Sequence, residues 1–230
     1  FEGILRQFEE VGYNVSYKLL NANDYGVPQD RLRVIIVGFH KKKVGFSFEF
    51  PNSLSHKPVL KEAIFDLRLA KPAKQFNKTN GDDLRIPNHE YMTGGFSTIY
   101  MSRNRVRSWE EPSFTIQAGG RHAPIHPQAP KMQFIEQNKR IFVPGKEDLY
   151  RRLSVRECAR IQTFPDDFVF KYRDVADGYK MIGNAVPVQF AYNIAKKIFY
   201  DLSKIKNVLE KSYIVGIPKE RGVTSESQAF

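Results

Sequence analysis

The chain begins with an amphipathic helical pattern that is followed by two strand patterns. Within residues 1–12, apolar side chains recur at helical spacing: Phe1, Ile4, Leu5 and Phe8. Residues 13–22 and 33–39 are predicted strands, and the second is so continuously apolar that we expect it to be buried on both faces. Asn, Gly and Pro in the segment between them break regular structure. This order is typical of the end of an α/β sheet.

The pattern changes between about residues 41 and 150. Pro, Gly, Asn and Lys are frequent there, and only KEAIFDLRLA, residues 61–70, has a helical pattern. We therefore expect a separate small domain of irregular structure, the kind that carries binding loops.

Regular helical patterns return in the last third of the chain. Ser154, with Glu157 three residues later, is a predicted capping box for a helix over 155–164, and a proline follows directly. A second helix is predicted over residues 186–205, after a Gly-Asn-Ala segment. Residues 204–230 are charged and then polar, and we expect a surface extension or a disordered tail.

The composition favours a polyanionic partner. Lys and Arg outnumber Asp and Glu by 36 to 25, which gives a formal net charge of +11 and a pI near 9.6. The excess is spread along the chain, so nucleic acid is favoured over the alternative of a merely basic protein. No apolar run approaches the roughly 18 residues needed to span a membrane, and the start has no signal-peptide pattern. We expect a soluble cytoplasmic protein with no membrane partner.

The cysteine and histidine content argues against a metal site. The single cysteine, Cys158, excludes an internal disulfide and makes a cysteine-based zinc site implausible. His122 and His126 are four residues apart, but Pro124 between them argues against the helix that would place both on one face.

Three short blocks carry candidate chemistry. In the first, Gln29, Arg31 and Arg33 lead from a loop onto the second predicted strand. Arginines two positions apart on an extended chain point the same way, and placing them beside an apolar strand is costly unless an anion or a hydrogen-bond acceptor meets them. Structural salt bridges are the alternative, and these residues alone do not decide between the two.

The other two blocks are weaker signals when each is taken alone. RRLSVRECARIQTFP leads into a helix whose arginines could simply solvate one face. In MIGNAVPVQF we expect Gly183 and Asn184 at the entrance of a helix, where backbone N–H groups can receive a polar ligand group.

In this order and at these separations, the three blocks resemble the C-terminal motifs of the cytosine-5 DNA methyltransferases. That family has a QxRxR block, a variable target-recognition region, an RExARxQxFP block and GNxV before the last helix. The matching residues are 29–33, 156–165 and 183–186, and the resemblance covers residues 1 to about 202. It implies an α/β fold: the end of a Rossmann-like methyltransferase sheet plus a small irregular target-recognition domain. We expect four parts: the last strands of the catalytic domain (1–42), the target-recognition domain (43–150), helices returning to the catalytic domain (151–203) and a tail (204–230).

The arginine-rich segment that begins with SRNRVR is most similar to the recognition region of bacterial enzymes that methylate GGCC. By that resemblance Arg103, Arg105 and Arg121 are expected to read guanines, since a guanidinium group can meet guanine O6 and N7 with two hydrogen bonds. Arg107 is expected to hold a phosphate or to pack. Ile99 matches the position of an apolar wedge in the opened duplex. The alternative for Ile99 is a core position in the small domain.

The resemblance also implies a mechanism. The target cytosine of duplex DNA is flipped out of the helix, a cysteine thiolate adds to C6, and C5 takes the methyl group of S-adenosylmethionine. Arg33 is expected to contact cytosine O2 and to stabilise charge on the ring, with Arg31 beside it on phosphate or supporting the site. Gln29, in the same block, is expected at the DNA. Three residues are expected to line one wall of the cofactor pocket: Gly183, Asn184 and Val186.

Three parts of the family's catalytic apparatus are absent from these 230 residues: the Pro-Cys nucleophile, the Phe-x-Gly-x-Gly cofactor loop and the Glu-Asn-Val segment. Cys158 is not a substitute, because it lies inside a predicted helix and is interpreted as a packed thiol. The chain also opens in mid-helix. We therefore expect a C-terminal half that is inactive alone and needs an N-terminal catalytic half, in the same polypeptide or as a separate chain.

Two other functions are kept as alternatives. A non-enzymatic, sequence-specific DNA-binding module would need neither Arg31 and Arg33 nor the GNxV block. A transfer-RNA methyltransferase of the same family is the third hypothesis, and the recognition arginines argue against it because the deep major groove of A-form RNA does not admit them.

Overall fold

The computed structural model of the protein describes residues 1–67 and 69–204. The helices are α1 (Glu2–Glu10), α2 (Leu60–Ile64), α3 (Val155–Ile161), α4 (Val175–Asn184) and α5 (Val188–Ser203). The strands are β1 (Tyr13–Asn21), β2 (Leu32–His40), β3 (Lys71–Pro72), β4 (Glu90–Tyr91), β5 (Gln133–Glu136) and β6 (Lys139–Ile141). Within the described ranges, no helix is long and apolar enough to cross a membrane.

Both strands predicted near the start of the chain are present. β1 and β2 pair antiparallel in one continuous register, from Tyr13 opposite His40 to Asn21 opposite Leu32. One face of the pair is buried, and there Val37 and Phe39 form a cluster against which Ile198 of α5 packs. The last helix therefore covers this face of the strands, as an α/β arrangement requires.

The other face of the two strands is open to solvent, so the expectation that β2 is buried on both faces is wrong. Apolar side chains alternate along both strands and form what we call the open face: Tyr17, Leu19, Leu32, Val34 and Ile36. Each of them is between 38% and 59% exposed. α1 lies beside this face, where the rings of Phe1 and Tyr17 are 4.9 Å apart. The apolar side of α1 is itself exposed at Phe1, Ile4, Phe8 and Val11.

The predicted capping box at α3 is confirmed. The Ser154 hydroxyl accepts from the Glu157 N–H at 3.0 Å, and the Glu157 carboxylate accepts from the Ser154 N–H at 2.7 Å. The helix ends at Ile161, earlier than predicted, because Thr163 has a left-handed backbone with φ of 61°.

The region around the Gly-Asn-Ala segment differs from the prediction. The sequence pattern missed α4, and Gly183 and Asn184 are its last two residues, not the entrance of the following helix. α5 is confirmed and begins at Val188, with Pro187 before its first residue. The segment between the two helices is therefore a helix exit followed by a short turn.

The middle of the chain is mostly irregular, as expected, with short two-stranded sheets and single helical turns. Its only α-helix within the described ranges is α2, which is shorter than the predicted segment. Leu60 and Ile64 of α2 and Ile116 share one core with Val155 of α3 and Tyr179 of α4. This common core fixes the irregular middle region against the C-terminal helices.

Candidate functional site

Arg31 joins the first and third sequence blocks through main-chain oxygens. Its side chain is 4% exposed. The guanidinium group donates to the carbonyls of Ile116 at 2.9 Å, Gly183 at 2.8 Å and Ala185 at 3.3 Å. Burial, with a smaller contribution from the charge of Arg33, lowers the pKa of Arg31 to about 10. The acceptors that compensate this buried cation are therefore carbonyls and not the carboxylates of a salt bridge.

Gln29 does not lie at the surface, which differs from its expected position at the DNA. Its side chain is fully buried, and its Oε1 accepts from the Ile116 N–H at 3.0 Å. The backbones next to it also pair, since Asp30 donates to Ser113 O and Ser113 donates to Pro28 O, both at 2.9 Å. In this structure Gln29 holds the segment 113–116 in place.

The second and third blocks also meet directly. Gln162 donates its side-chain N–H to Ile182 O at 2.7 Å, and its main-chain oxygen accepts from the Val188 N–H at 3.1 Å. A Cβ atom added to Gly183 would lie 2.4 Å from main-chain atoms of Gln117 and Ala118. Only glycine permits this approach between α4 and the arginine-rich segment 102–130, which we call the recognition segment after its expected role. Gly183 is buried, so what it offers is close main-chain packing.

Three residues expected at the catalytic and cofactor sites have exposed side chains: Arg33, Asn184 and Val186. Arg33 makes one hydrogen bond, to Leu32 O at 2.6 Å, and its guanidinium group is otherwise free within the described ranges. The side chains of Asn184 and Val186 are also exposed, and Val186 lies on a groove of about 240 Å³. The groove is lined only by apolar residues of β2, α5 and the turn before it: Ile35, Val186, Phe190, Ala191, Ile194, Ala195 and Ile198.

The arginines of the segment 102–130 fall into two groups. Arg107 belongs to the paired group, since it donates to Asp30 at 3.0 Å and to Glu111 at 3.1 Å and lies 4.2 Å above the Phe114 ring. Of its two expected roles, packing is the one observed. The Ser108 N–H and Arg107 lower the pKa of Glu111 to about 2, which keeps the acceptor charged.

The second group comprises the three arginines expected to read guanine. Arg103 and Arg121 are exposed, and neither makes a side-chain hydrogen bond to any residue that the structure describes. Arg105 is half-buried and lies 4.8 Å from the centre of the Tyr100 ring. Its Nε donates to Tyr100 O at 2.8 Å and its Nη2 to Ile99 O at 3.3 Å. The guanidinium groups of Arg103 and Arg121 are therefore free among the described residues, and that of Arg105 lies on the Tyr100 ring.

Ile99 is 76% exposed, so the alternative of a core position for it is wrong. The residue after it, Tyr100, is 1% exposed and donates its hydroxyl to Ala123 O at 2.6 Å. Ile99 is therefore an exposed apolar side chain beside a firmly anchored residue.

Arg156 of the second block does not solvate a helix face, which was one interpretation of the sequence. Arg156 is fully buried and donates to the carbonyls of Pro87 at 2.9 Å, Pro165 at 3.3 Å and Phe168 at 3.0 Å. It organises the loops around α3, because a buried guanidinium group with several carbonyl acceptors is fully satisfied only in one arrangement.

Arg152 and the loop 93–97 were missed by the sequence interpretation. Arg152 is 3% exposed and bonds to main-chain carbonyls of this loop, which borders a cleft of about 480 Å³ together with Arg121 and His122. The available signal was the run TGGFS, with two consecutive glycines shortly before the recognition segment.

A buried ionic cluster lies beneath the recognition segment. Arg151 donates two hydrogen bonds to Glu157, at 2.8 and 2.7 Å, and His126 Nε2 lies 3.5 Å from the same carboxylate. The ring of Trp109 packs against His126, with centroids 5.2 Å apart. Burial lowers the pKa of His126 to about 4. The described residues contain no group of three His, Cys, Asp or Glu side chains that could hold a metal ion.

Cys158 lies in the core, as predicted for a packed thiol. It is fully buried within α3, and burial raises its pKa well above the ordinary value. A thiol that neither meets solvent nor ionises is a poor nucleophile.

Comparisons with known proteins agree with the resemblance of the three blocks. A family model described as C-5 cytosine-specific DNA methylase matches residues 1–200. The chain is 60% identical over 207 residues to the type II methyltransferase M.MthTI of Methanothermobacter thermautotrophicus, and 58% identical over 214 residues to M.FnuDI of Fusobacterium nucleatum. Each match covers 90% of this chain and 62% of the relative. The chain therefore spans about 62% of the length of these two relatives.

Solved structures support the fold. A prophage-encoded protein of Escherichia coli, assigned as a DNA modification methyltransferase, superposes with a TM-score of 0.60 at 20% identity, over 87% of this chain and 65% of that one. Dnmt2 of Schizosaccharomyces pombe gives a TM-score of 0.53 at 14% identity, over 88% and 62%. These neighbours have a Rossmann-like fold, which confirms the predicted α/β class.

Proposed function

The chain belongs to the C-5 cytosine-specific DNA methylase family, and we propose that it supplies the recognition surface and part of the active site of an enzyme that methylates a GGCC-like site in duplex DNA. The family uses S-adenosylmethionine as its methyl donor. The finer assignments below are our proposals.

The observation that carries the proposal is the division of the arginines into paired and free groups. Arg31, Arg107 and Arg156 are occupied by carbonyls or carboxylates inside the protein. Arg103 and Arg121 are exposed without such partners among the described residues. A free guanidinium group on a basic protein is available for the O6 and N7 acceptors of guanine.

Arg105 completes the set of guanine readers. Its main-chain bonds orient the guanidinium group and leave Nη1 without a partner in the described part of the chain. Ile99, exposed beside it, inserts into the opened duplex and offsets the stacking that is lost when the cytosine leaves the helix.

Arg33 contacts O2 of the flipped cytosine. It is exposed, whereas both terminal nitrogens of its neighbour Arg31 donate to carbonyls inside the protein, so Arg33 is the member of the pair that is free to meet the base. A cation at O2 stabilises the negative charge that develops when a thiolate adds to the ring. Arg31 and Gln29 act as positioning residues for this strand and for the segment 113–116.

The exit of α4 forms one wall of the S-adenosylmethionine pocket. Asn184 offers an exposed amide, Val186 borders an apolar groove, and Gly183 lets the main chain of α4 approach the recognition segment. An amide beside an apolar groove fits a ligand with a flat ring and polar edges. When bound, the cofactor supplies the methyl group that is transferred to the cytosine.

The open face is the contact surface for an N-terminal catalytic half, in the same polypeptide or as a separate chain. Apolar side chains on two strands and on α1 project into solvent, and a set of this kind marks an interaction surface. More than a third of the length of each relative lies outside the matched region. A segment of that length is sufficient to cover the open face. That half supplies the nucleophilic cysteine, since Cys158 is buried, and the chain is inactive without it.

We assign separate functions to the four parts expected from the sequence: residues 1–42, 43–150, 151–203 and 204–230. The first and third carry the catalytic and cofactor residues, and the second carries recognition. The fourth lies almost entirely outside the described residues. The enzyme acts on DNA in the bacterial cytoplasm.

The test uses a chimera in which this chain replaces the matching region of the 60%-identical Methanothermobacter relative. Arg105→Ala and Arg121→Ala are each expected to weaken methylation of GGCC duplexes by roughly 5- to 150-fold, which corresponds to about 1–3 kcal/mol per guanine contact. On a duplex in which one guanine is replaced, the variant that lacks the arginine for that guanine should methylate as well as the unsubstituted chimera does. The other variant should still be weaker than the chimera. Arg85→Ala is the matched control, because Arg85 is exposed but lies outside the recognition segment.

Two results would count against the proposal. Equal methylation of GGCC and unrelated duplexes by the chimera would exclude the specificity. Tight GGCC binding without any methyl transfer would favour the non-enzymatic DNA-binding module instead.

A further inference from the structure

The buried Arg152 holds the loop 93–97 by donating hydrogen bonds to main-chain carbonyl groups of the loop. The Arg152 guanidinium group donates to the carbonyls of Met92 at 3.2 Å, Gly94 at 3.0 Å and Gly95 at 2.8 Å. It also lies 4.0 Å from the centre of the Phe96 ring. Two main-chain oxygens of the loop, and that of Met92 directly before it, therefore point at one cation inside the protein.

This arrangement directs the N–H groups of the loop outward. In a trans peptide the C=O and N–H bonds point in opposite directions. Because the carbonyls of Gly94 and Gly95 face Arg152, the N–H groups of Gly95 and Phe96 face away from it. Neither N–H makes a hydrogen bond with any residue that the structure describes. Successive N–H groups that point the same way form an anion-binding site.

The cleft beside the loop has the charge to match. It has a volume of about 480 Å³, and the described residues of its walls include Arg121, His122 and Arg152 but no carboxylate. The cleft thus combines the free N–H groups of the loop with the exposed guanidinium group of Arg121, and these donors together suit an anion.

We propose that the loop 93–97 binds one phosphate of the DNA backbone through the N–H groups of Gly95 and Phe96, beside the guanine that Arg121 reads. The inference rests on the proposed function, because Ile99 and Arg121 bring duplex DNA to this surface. Arg152 is the positioning residue, since it orients the loop without touching the DNA. The contact fixes the register of the duplex and carries no sequence information.

Gly95→Pro tests the contact because proline has no N–H group. Gly95→Ala is the matched control: a Cβ atom at this position meets nothing within 4 Å, and the backbone is not left-handed. The assay measures binding of the chimera to GGCC duplexes in which one phosphate at a time is replaced by an uncharged methylphosphonate.

For the wild type and Gly95→Ala, one linkage is expected to be sensitive by about tenfold or more, as for a hydrogen bond to a charged group. Gly95→Pro should bind the unmodified duplex about tenfold more weakly. It should also lose less than the other two proteins when that linkage is neutralised, because only the Phe96 N–H remains to meet the phosphate. If the three proteins lose equally at every linkage, the phosphate assignment is wrong.

A second variant keeps the test decisive if Gly95→Pro does not fold. Arg152→Lys retains the charge but cannot span three carbonyls, so sensitivity at the same linkage should disappear while the preference of Arg121 for its guanine remains. Unchanged sensitivity in Arg152→Lys would overturn the role of the loop. A wild type that binds GGCC and unrelated duplexes equally would instead refute the proposed function.

Discussion

Acidification is expected to destabilise the protein through His126, which the fold holds in its neutral form. His126 is 1% exposed, and its Nδ1 accepts from the Gln128 N–H at 3.1 Å, so the proton of the neutral ring lies on Nε2. Burial, opposed by the charge of Glu157 and assisted by Arg151 and His89, lowers the pKa of His126 to about 4. Protonation at Nδ1 would also break the bond from Gln128.

The magnitude follows from the difference between folded and unfolded states. The unfolded chain takes up a proton near the ordinary histidine pKa of 6.5, whereas the folded chain does so only near 4. The stabilisation from neutral His126 is therefore fully present above pH 6.5 and is lost as the pH falls towards 4. Over that interval the free energy of unfolding should fall by about 3 kcal/mol from this residue alone. His89, whose pKa is also lowered by burial, acts in the same direction.

The chain contains a convenient reporter for this effect. Trp109 is its single tryptophan, and its ring packs 5.2 Å from that of His126. Urea unfolding followed by Trp109 fluorescence at several pH values between 6.5 and 4 gives the free energy at each pH. His126→Asn keeps an acceptor for the Gln128 N–H but does not titrate, so its stability should fall less steeply. His122→Asn, at an exposed site, should retain the wild-type slope.

Two outcomes would refute this reasoning. One is a folded protein whose Trp109 fluorescence titrates with a midpoint near 6.5. The other is an equal pH slope for the wild type and His126→Asn.

Three further changes have defined outcomes. Gly183→Ala should lower the free energy of unfolding by about 1–3 kcal/mol, since the added Cβ meets main-chain atoms at 2.4 Å, whereas Gly45→Ala, with nothing within 4 Å, should not; urea unfolding compares them. Arg33→Ala in the chimera should reduce kcat by about 100-fold or more with GGCC binding nearly unchanged, and an unaltered kcat would exclude the contact with cytosine O2. Cys158→Ser should retain methyl transfer by the chimera, and a folded but inactive variant would show that the buried thiol takes part in catalysis.

Local sequence patterns were sufficient to predict β1, β2 and α5, but not to predict which faces of these elements are buried. β2 is apolar throughout, yet Val37 packs towards α5 while Val34 and Ile36 face solvent. A continuously apolar strand has the same sequence pattern whether one or both of its faces are covered by the chain that contains it.

α4 was missed because its sequence has little intrinsic preference for a helix. VADGYKMIGN contains two glycines, each of which disfavours a helix by about 1 kcal/mol relative to alanine. Val175, Tyr179 and Ile182 are buried on one side, so tertiary packing stabilises this helix. The error also displaced Gly183 and Asn184 from the end of one helix to the beginning of the next.

The sequence predicted which residues belong to the candidate site, but not which groups they form hydrogen bonds with. The family motifs identify Arg31 and Gln29, but their partners are main-chain groups of residues far away in the sequence. Main-chain donors and acceptors are the same at every position, so no sequence pattern marks them. For the same reason Arg152 gave no signal, although it binds three carbonyls.

Arg31 connects β2, the recognition segment and the exit of α4 through oxygens that every residue possesses. The hydrogen bond from Arg31 to Ile116 O needs only the main-chain oxygen, although the Ile116 side chain also packs in the core. Side chains elsewhere in the recognition segment can therefore change while the strand that carries Arg33 stays in register with the exit of α4. Under the proposed function, a new DNA specificity can in this way arise without displacing the residues at the cytosine.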